Sequence, residues 1–186
     1  STTPGGYKLL ATRVNNYEKN GEISIRDLVI NSLRMRPDRI IVGECRGKEA
    51  FDMLQAMNTG HNGSLTTMHA NSPHDALNRL ETMILMAGME IPVKAIREYI
   101  KNAINIIVNV ERSQDGRRRV KDIVEVVGIR DEMIDLKPIF HYKEQKVLDN
   151  GEIIGEFIKE KRKPKKKKKF NNQTIQEIKD IFEKVK

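Results

Sequence analysis

Ile40, Ile41 and Val42 stand in a row with no polar residue between them, and Gly43 and Glu44 follow at once. An unbroken aliphatic run of this kind predicts a short strand buried on both faces, as in a parallel sheet. Residues 65–68 predict a second strand, opened by Gly60 and Gly63 and closed by His69. Between the two, residues 48–58 predict a helix, because Ala50, Met53, Leu54 and Met57 recur at i, i+3, i+4 and i+7. That helix is long enough to be the crossover that parallel strands require.

The same patterning places elements on either side. Residues 7–13 read as a short strand and residues 15–21 as a polar loop. Ser24 with Asp27 forms a capping-box pattern opening a helix that turns Leu28, Val29 and Leu33 inward and stops near Arg36, ahead of Pro37. After His69, Ser72 is an N-cap and Pro73 a first helical residue; Ala76, Leu80, Met83, Ile84 and Ala87 line one face, and Gly88 ends it. Pro92 starts a further helix through Ile96, Ile100 and Ile104. β-Signals then take over at 106–110 and 120–129, across a turn at Gln114-Asp115-Gly116. A pair at 133–136 and 139–142 extends an antiparallel meander. Order is not expected beyond residue 143 until Ile175, Ile178, Ile181 and Phe182 mark a short amphipathic helix.

Composition narrows the class. A chain of 186 residues, 38% hydrophobic and 32% charged, is long enough to bury a core. No stretch approaches a bilayer span, and no signal-peptide pattern is present. Cys45 stands alone, which excludes an internal disulfide or a cysteine zinc cluster and suits a reducing compartment. The net charge of +8 belongs to one segment: nine basic residues and one acidic residue lie between Lys159 and Lys169, and the remainder carries 25 of each sign. The run reads first as a solvated tail, so the excess implies no nucleic-acid surface over the whole protein.

The chemistry concentrates at one rim. Glu44 emerges past the carboxyl end of the first strand, the edge at which open α/β sheets bind ligands. Taken alone it is an ordinary loop glutamate; with His69 closing the neighbouring strand, a βαβ unit presents an acid and an imidazole together. The methionines Met53, Met57, Met68, Met83, Met86 and Met89 read as packing.

Residues 33–47 (Leu-Arg-Met-Arg-Pro-Asp-Arg-Ile-Ile-Val-Gly-Glu-Cys-Arg-Gly) and 59–73 (Thr-Gly-His-Asn-Gly-Ser-Leu-Thr-Thr-Met-His-Ala-Asn-Ser-Pro) resemble the Walker B region and the His box of the secretion ATPase superfamily. The likeness is to its CpaF/TadA-type members, which power tight-adherence pili, and is dense over residues 10–140. It implies an α/β fold of the RecA-like P-loop NTPase type, three-layered and present here in part, with a C-terminal antiparallel β extension. On that resemblance residues 1–6 are a linker or fusion scar, 7–142 the C-terminal part of the ATPase domain, 143–174 a basic, poorly ordered segment and 175–186 a short helix.

The resemblance also implies ATP and Mg²⁺, with Glu44 either orienting the attacking water or holding the Mg²⁺ shell through water. His69 and His61 would contact the γ-phosphate side. Arg13 stands where relatives place a nucleotide-reaching arginine, and a surface salt bridge is an equal alternative. Arg46 joins the nucleotide-binding set, with orienting the loop or pairing an acid its favoured duty. The implied protein is a cytoplasmic homo-oligomer, a hexamer at full length, peripheral to the inner face of the cell membrane. It would act on an inner-membrane platform protein to drive pilus assembly or protein secretion. Anionic lipid is a candidate partner for the lysine run, and specific nucleic-acid binding is not expected. No Gly-x-x-x-x-Gly-Lys-Ser/Thr loop and no upstream Asp box occur in this sequence, so the chain reads as a C-terminal fragment that is inactive alone. Two other readings stand beside the motor: a non-catalytic docking fragment, and the conjugative DNA-transfer branch of the superfamily.

Overall fold

The computed structural model describes residues 9–11 and 21–162. In chain order these hold α1 (Ile25–Arg34), β1 (Ile41–Val42), α2 (Glu49–Asn58), β2 (Leu65–Thr66), α3 (Pro73–Met86) and α4 (Val93–Ala103). They are followed by β3 (Ile106–Arg112), β4 (Arg118–Arg130), β5 (Met133–Val147) and β6 (Ile153–Lys159). Arg13, the leading segment 1–6, the five lysines 165–169 and the terminal helix expected at 175–186 lie outside the described residues; so does most of the strand expected at 7–13, and residues 9–11 are not in a strand. The chain divides into two compact units, one built from residues up to Ile104 together with Gly128–Asp135, the other from Asn105–Val127 and the residues from Leu136 on.

The first unit is helical around a small parallel ladder. α1 opens on the expected capping box: Ser24 Oγ accepts from the Asp27 amide at 3.2 Å, and the Asp27 carboxylate accepts from the Ser24 amide at 2.9 Å. The helix ends at Arg34, with Arg36 at φ +50° before Pro37. α2 buries Ala50, Met53, Leu54 and Met57, the stripe its periodicity predicts, and packs against α1, α3 and α4. α3 starts where the Ser72 hydroxyl accepts from the Asp75 amide at 3.1 Å, and buries Leu77, Leu80, Met83 and Ile84. α4 buries Ile96, Ile100 and Ala103. Arg26 Nε donates to Asp52 Oδ2 at 2.7 Å and joins α1 to α2; Arg97 joins α4 to Glu81 of α3 at 2.8 Å and to the Glu132 carbonyl at 2.8 Å.

β1 and β2 pair in parallel, Ile41 opposite Leu65 and Val42 opposite Thr66, with α2 as the crossover. Both strands are shorter than expected, and burial on both faces does not hold. Side chains alternate across a strand: Ile40 and Val42 are buried on one face, while Ile41 and Leu65 on the other are 66% and 59% exposed. The methionine reading divides likewise, since Met53, Met57 and Met83 are core residues but Met86 and Met89 are exposed.

The second unit holds most of an antiparallel sheet of order β3-β4-β5-β6, the last residues of β4 from Gly128 and the first of β5 up to Asp135 belonging to the first unit. The segments expected at 133–136 and 139–142 form one strand that runs on to Val147, and β6 follows it. The loss of order expected from residue 143 is therefore corrected as far as the described residues reach. The register sets Lys143 opposite Glu156, whose carboxylate accepts from Gln145 Nε2 at 2.7 Å, while Tyr142 packs edge-on against Phe157 at 5.3 Å. Arg162, within the basic run, is only partly exposed: its guanidinium pairs at 2.5 Å with Glu125, which is buried.

Gly155 is needed because a Cβ there would lie 2.4 Å from the Lys143 carbonyl oxygen and 2.7 Å from Tyr142 Cζ. The first neighbour is backbone and cannot swing aside. Gly155→Ala is expected to lower the stability of this sheet by ~1–3 kcal/mol, as overpacking does; an unchanged urea midpoint would show that β5 and β6 are not this close.

Asp115 pins the β3–β4 turn. Its carboxylate accepts from Arg119 at 2.6 and 2.5 Å, from the Arg117 amide at 3.1 Å and from the Ile153 amide at 3.1 Å. The Arg119 guanidinium, which also lies over the Tyr142 ring, holds this carboxyl far below the usual carboxylate range, against the opposing pull of burial. A depressed folded-state pKa contributes stability that is complete above the unfolded value of ~3.9 and is lost as pH falls toward the folded value. The stability difference between wild type and Asp115→Asn should thus stay constant from neutral pH down to about pH 5 and shrink below ~4, followed by urea midpoints.

Candidate functional site

The parallel ladder continues past β1 and β2 into the loop that carries the acid. The Cys45 amide donates to the Thr67 carbonyl at 2.9 Å, and Thr67 Oγ1 donates to the Gly43 carbonyl at 2.6 Å. These bonds hold residues 43–45 beside 67, so Glu44 and His69 leave the same, carboxyl-terminal rim. His69 Nε2 lies 3.2 Å from Glu44 Oε1, and Arg46 pairs with Glu44 Oε2. The Glu44 side chain is 23% exposed, whereas those of Arg46 and His69 are largely open.

Electrostatics follow from that contact. The Arg46 guanidinium holds the Glu44 carboxyl below the usual carboxylate range; partial burial opposes it, and the His69 imidazole adds a smaller lowering. Arg46 is raised in turn by Glu44. Glu44 is therefore an anion, paired with Arg46 on one oxygen and 3.2 Å from the His69 ring on the other, and weakened as a proton acceptor. Cys45 beside it is buried, which pushes its thiol up to about 12, with the Glu49 charge acting in the same direction. Such a thiol is packing and not a nucleophile.

His61 stands apart from this cluster. Its carbonyl accepts from Ser64 Oγ at 2.8 Å, and Ser64 Oγ accepts from the Ile40 amide at 2.9 Å, which ties His61 to the amino end of β1. Among the described residues it makes no hydrogen bond or ion pair with Glu44, Arg46 or His69, and its buried ring Nδ1 has no hydrogen-bond partner among them. The turn between is set by Gly63 at φ +85°, where a Cβ would press on the Arg39 guanidine at 3.0 Å.

Sequence reasoning missed Glu49. It is 8% exposed in the first turn of α2, and its Oε1 accepts from the Arg46 amide at 2.6 Å and the Gly47 amide at 2.9 Å. An acid just inside a helix that follows a glycine-ended loop was the available signal. Among the described residues no group of three or more His, Cys, Asp or Glu is placed to hold a metal, and no helix is long and apolar enough to cross a membrane.

A Mycobacterium tuberculosis (strain H37Rv) protein named for conjugal transfer is 43% identical over 116 residues, which cover 62% of this chain and 32% of that protein. The type IV secretion system protein PtlH of Bordetella pertussis is 41% identical over 109 residues, covering 56% and 32%. The crystal structure of the VirB11 ATPase from the Brucella suis type IV secretion system, in complex with sulphate, superposes with a TM-score of 0.52 at 32% identity, over 55% of this chain and 32% of that one. The chain spans about a third of the length of the curated relatives it matches. Residues 6–149 match the family described as Type II/IV secretion system protein, and the chain belongs to that family.

Proposed function

We propose that this chain is part of the catalytic domain of an ATP-hydrolysing motor for pilus assembly or protein secretion, with Glu44, Arg46 and His69 on the γ-phosphate side of its nucleotide site. The observation that carries the reading is the 3.2 Å approach of His69 to Glu44 at the carboxyl-terminal rim of parallel strands joined by a crossover helix. Ligands of open α/β sheets bind at that rim. Bound Mg²⁺–ATP supplies an electrophilic γ-phosphoryl group whose charge the metal partly neutralises.

The donor set fits a Mg²⁺ that keeps several waters and takes few protein ligands, because one carboxylate converges here and not a cage. Glu44, ionised and bridged by Arg46, would accept hydrogen bonds from water in the metal shell or from the attacking water. Its lowered basicity favours orienting water over removing the proton. His69, 3.2 Å from the second oxygen, would offer its largely exposed ring to the phosphate side. A homo-oligomer, a hexamer by analogy with the family, and a membrane platform partner complete the proposal.

The test is phosphate release. The full-length polypeptide that carries this segment is expected to show Mg²⁺-dependent ATP turnover, and the 186-residue chain, which contains no Gly-x-x-x-x-Gly-Lys-Ser/Thr loop, is expected to bind ATP weakly and release none. Turnover by the short chain, or its absence in the long one, overturns the reading.

A further inference from the structure

We propose that Glu49 is a positioning residue that sets the geometry of the Glu44–Arg46 pair through the backbone of the loop between β1 and α2. The inference rests on the ATPase reading for its kinetic consequence and on the coordinates for its mechanism.

One oxygen of Glu49 accepts both the Arg46 amide at 2.6 Å and the Gly47 amide at 2.9 Å. Charge-assisted bonds of this kind are shorter and stronger than neutral ones. Both donors precede Lys48, the N-cap of α2, so they are loop amides and not the orphan donors of the helix. Glu49 is buried and held by α2, which packs on three other helices. The clamp therefore transmits a rigid position to residue 46. Arg46 is otherwise exposed, and its guanidinium is what pairs with Glu44 Oε2. The ladder fixes the other side of the same loop, through the Cys45 amide on Thr67 and Thr67 Oγ1 on Gly43. Glu44 thus sits between two anchors, the β2 backbone behind it and the Glu49 carboxylate ahead of it. Removing the second anchor leaves Arg46 free to leave Glu44, while the contact of Glu44 with His69 keeps one support.

Because both amides meet the same atom, the chemistry separates the variants. Glu49→Gln keeps an oxygen at that position and the side-chain volume. Glu49→Asp is one methylene short and Glu49→Ala offers no acceptor. In the full-length polypeptide, Glu49→Ala and Glu49→Asp should lower kcat by ~10–10²-fold with a smaller change in KM for ATP, the scale of a misplaced catalytic group. Glu49→Gln should retain most of kcat. In the 186-residue chain, amide hydrogen exchange at Arg46 and Gly47 should accelerate in Glu49→Ala and remain near wild type in Glu49→Gln. In an Arg46→Ala background the effect of Glu49→Ala on kcat should largely vanish, as it does for residues acting through one contact.

A folded Glu49→Ala protein with wild-type kcat, a Gln variant as impaired as the Ala variant, or effects of Glu49 and Arg46 that simply add would each overturn the proposal. Should Glu49→Ala not fold, the Asp-versus-Gln contrast decides. Loss of the ATPase reading is separately visible, because wild-type protein would then fail to hydrolyse ATP while the exchange result would still report on the clamp.

Discussion

On the proposed ATPase reading, Glu44→Gln is expected to lower kcat of the full-length polypeptide by ~10²–10⁴-fold, the range of positioned acid–base or water-orienting groups, while nucleotide affinity changes little. The substitution preserves volume and one acceptor oxygen, so the loop and the β1–β2 ladder should stay in place. What it removes is the negative charge that Arg46 and His69 converge on. A neutral amide presents one acceptor oxygen in place of two, and its NH2 group faces Arg46 or His69 as a donor, so the fixed acceptor geometry offered to water is lost. On that reading binding is spared, because a P-loop cradle is made of backbone amides and a lysine, not of a strand-end carboxylate. The sign of the pKa shift adds a second expectation. Glu44 is lowered from its ordinary value, mainly by Arg46, so it remains ionised throughout the range above ~5 and should contribute no acid limb near neutrality to the kcat profile. Stopped turnover with retained ATP binding, measured by phosphate release and equilibrium binding on the same protein, is the expected pair of results. Retained turnover removes Glu44 from the chemistry.

The contact between Glu44 and His69 was legible in the sequence because two independent rules agree on it. An apolar run ended by Gly43 places residue 44 at a sheet rim, and a crossover-length helix brings the next strand end to the same rim. Burial of α2, α3 and α4 was legible too, since Met53, Leu80 and Ile96 each fall on a stripe of period 3.6. Three things were not. Residues 40–42 report that they are apolar but not what covers them, so the exposure of Ile41 could not be read off. Residues 143–159 interleave charge with Val, Leu, Ile and Phe, and the charges suggested a solvated chain until the register put Lys143 opposite Glu156. Glu49 carried the wrong visible context, a helix start, whereas its partners are amides two and three residues earlier. In each case the deciding quantity is a contact made by the backbone, to which side-chain patterning is blind. His61 shows the converse: a motif reading grouped it with His69, and the Ser64 bridge to Ile40 puts it at the other end of the ladder.

Leu54→Ala should cost the first unit ~2–5 kcal/mol, the range for deleting a fully buried aliphatic side chain. Leu54 has no exposed surface and lies in α2, the one helix that packs against α1, α3 and α4 together. A cavity there is bounded on several sides by elements that cannot all move inward, which argues for the upper half of the range. With ~4–8 °C of midpoint per kcal/mol for a domain of this size, a fall of ten degrees or more is expected. Leu85→Ala on α3 is the control: that side chain is 41% exposed, and its loss should stay within about 0.5 kcal/mol. Because the chain folds as two units, one global midpoint would mix them, so the change should be followed by amide exchange at α2 and, separately, at β4. Faster exchange in α2 with β4 unaffected is the expected pattern. The same helix holds Glu49 and links the strand before Glu44 to the strand before His69, so a loosened α2 should also separate the two site residues. If Leu54→Ala leaves α2 exchange unchanged, the crossover is not held by this core, and the rim geometry that depends on it has some other support.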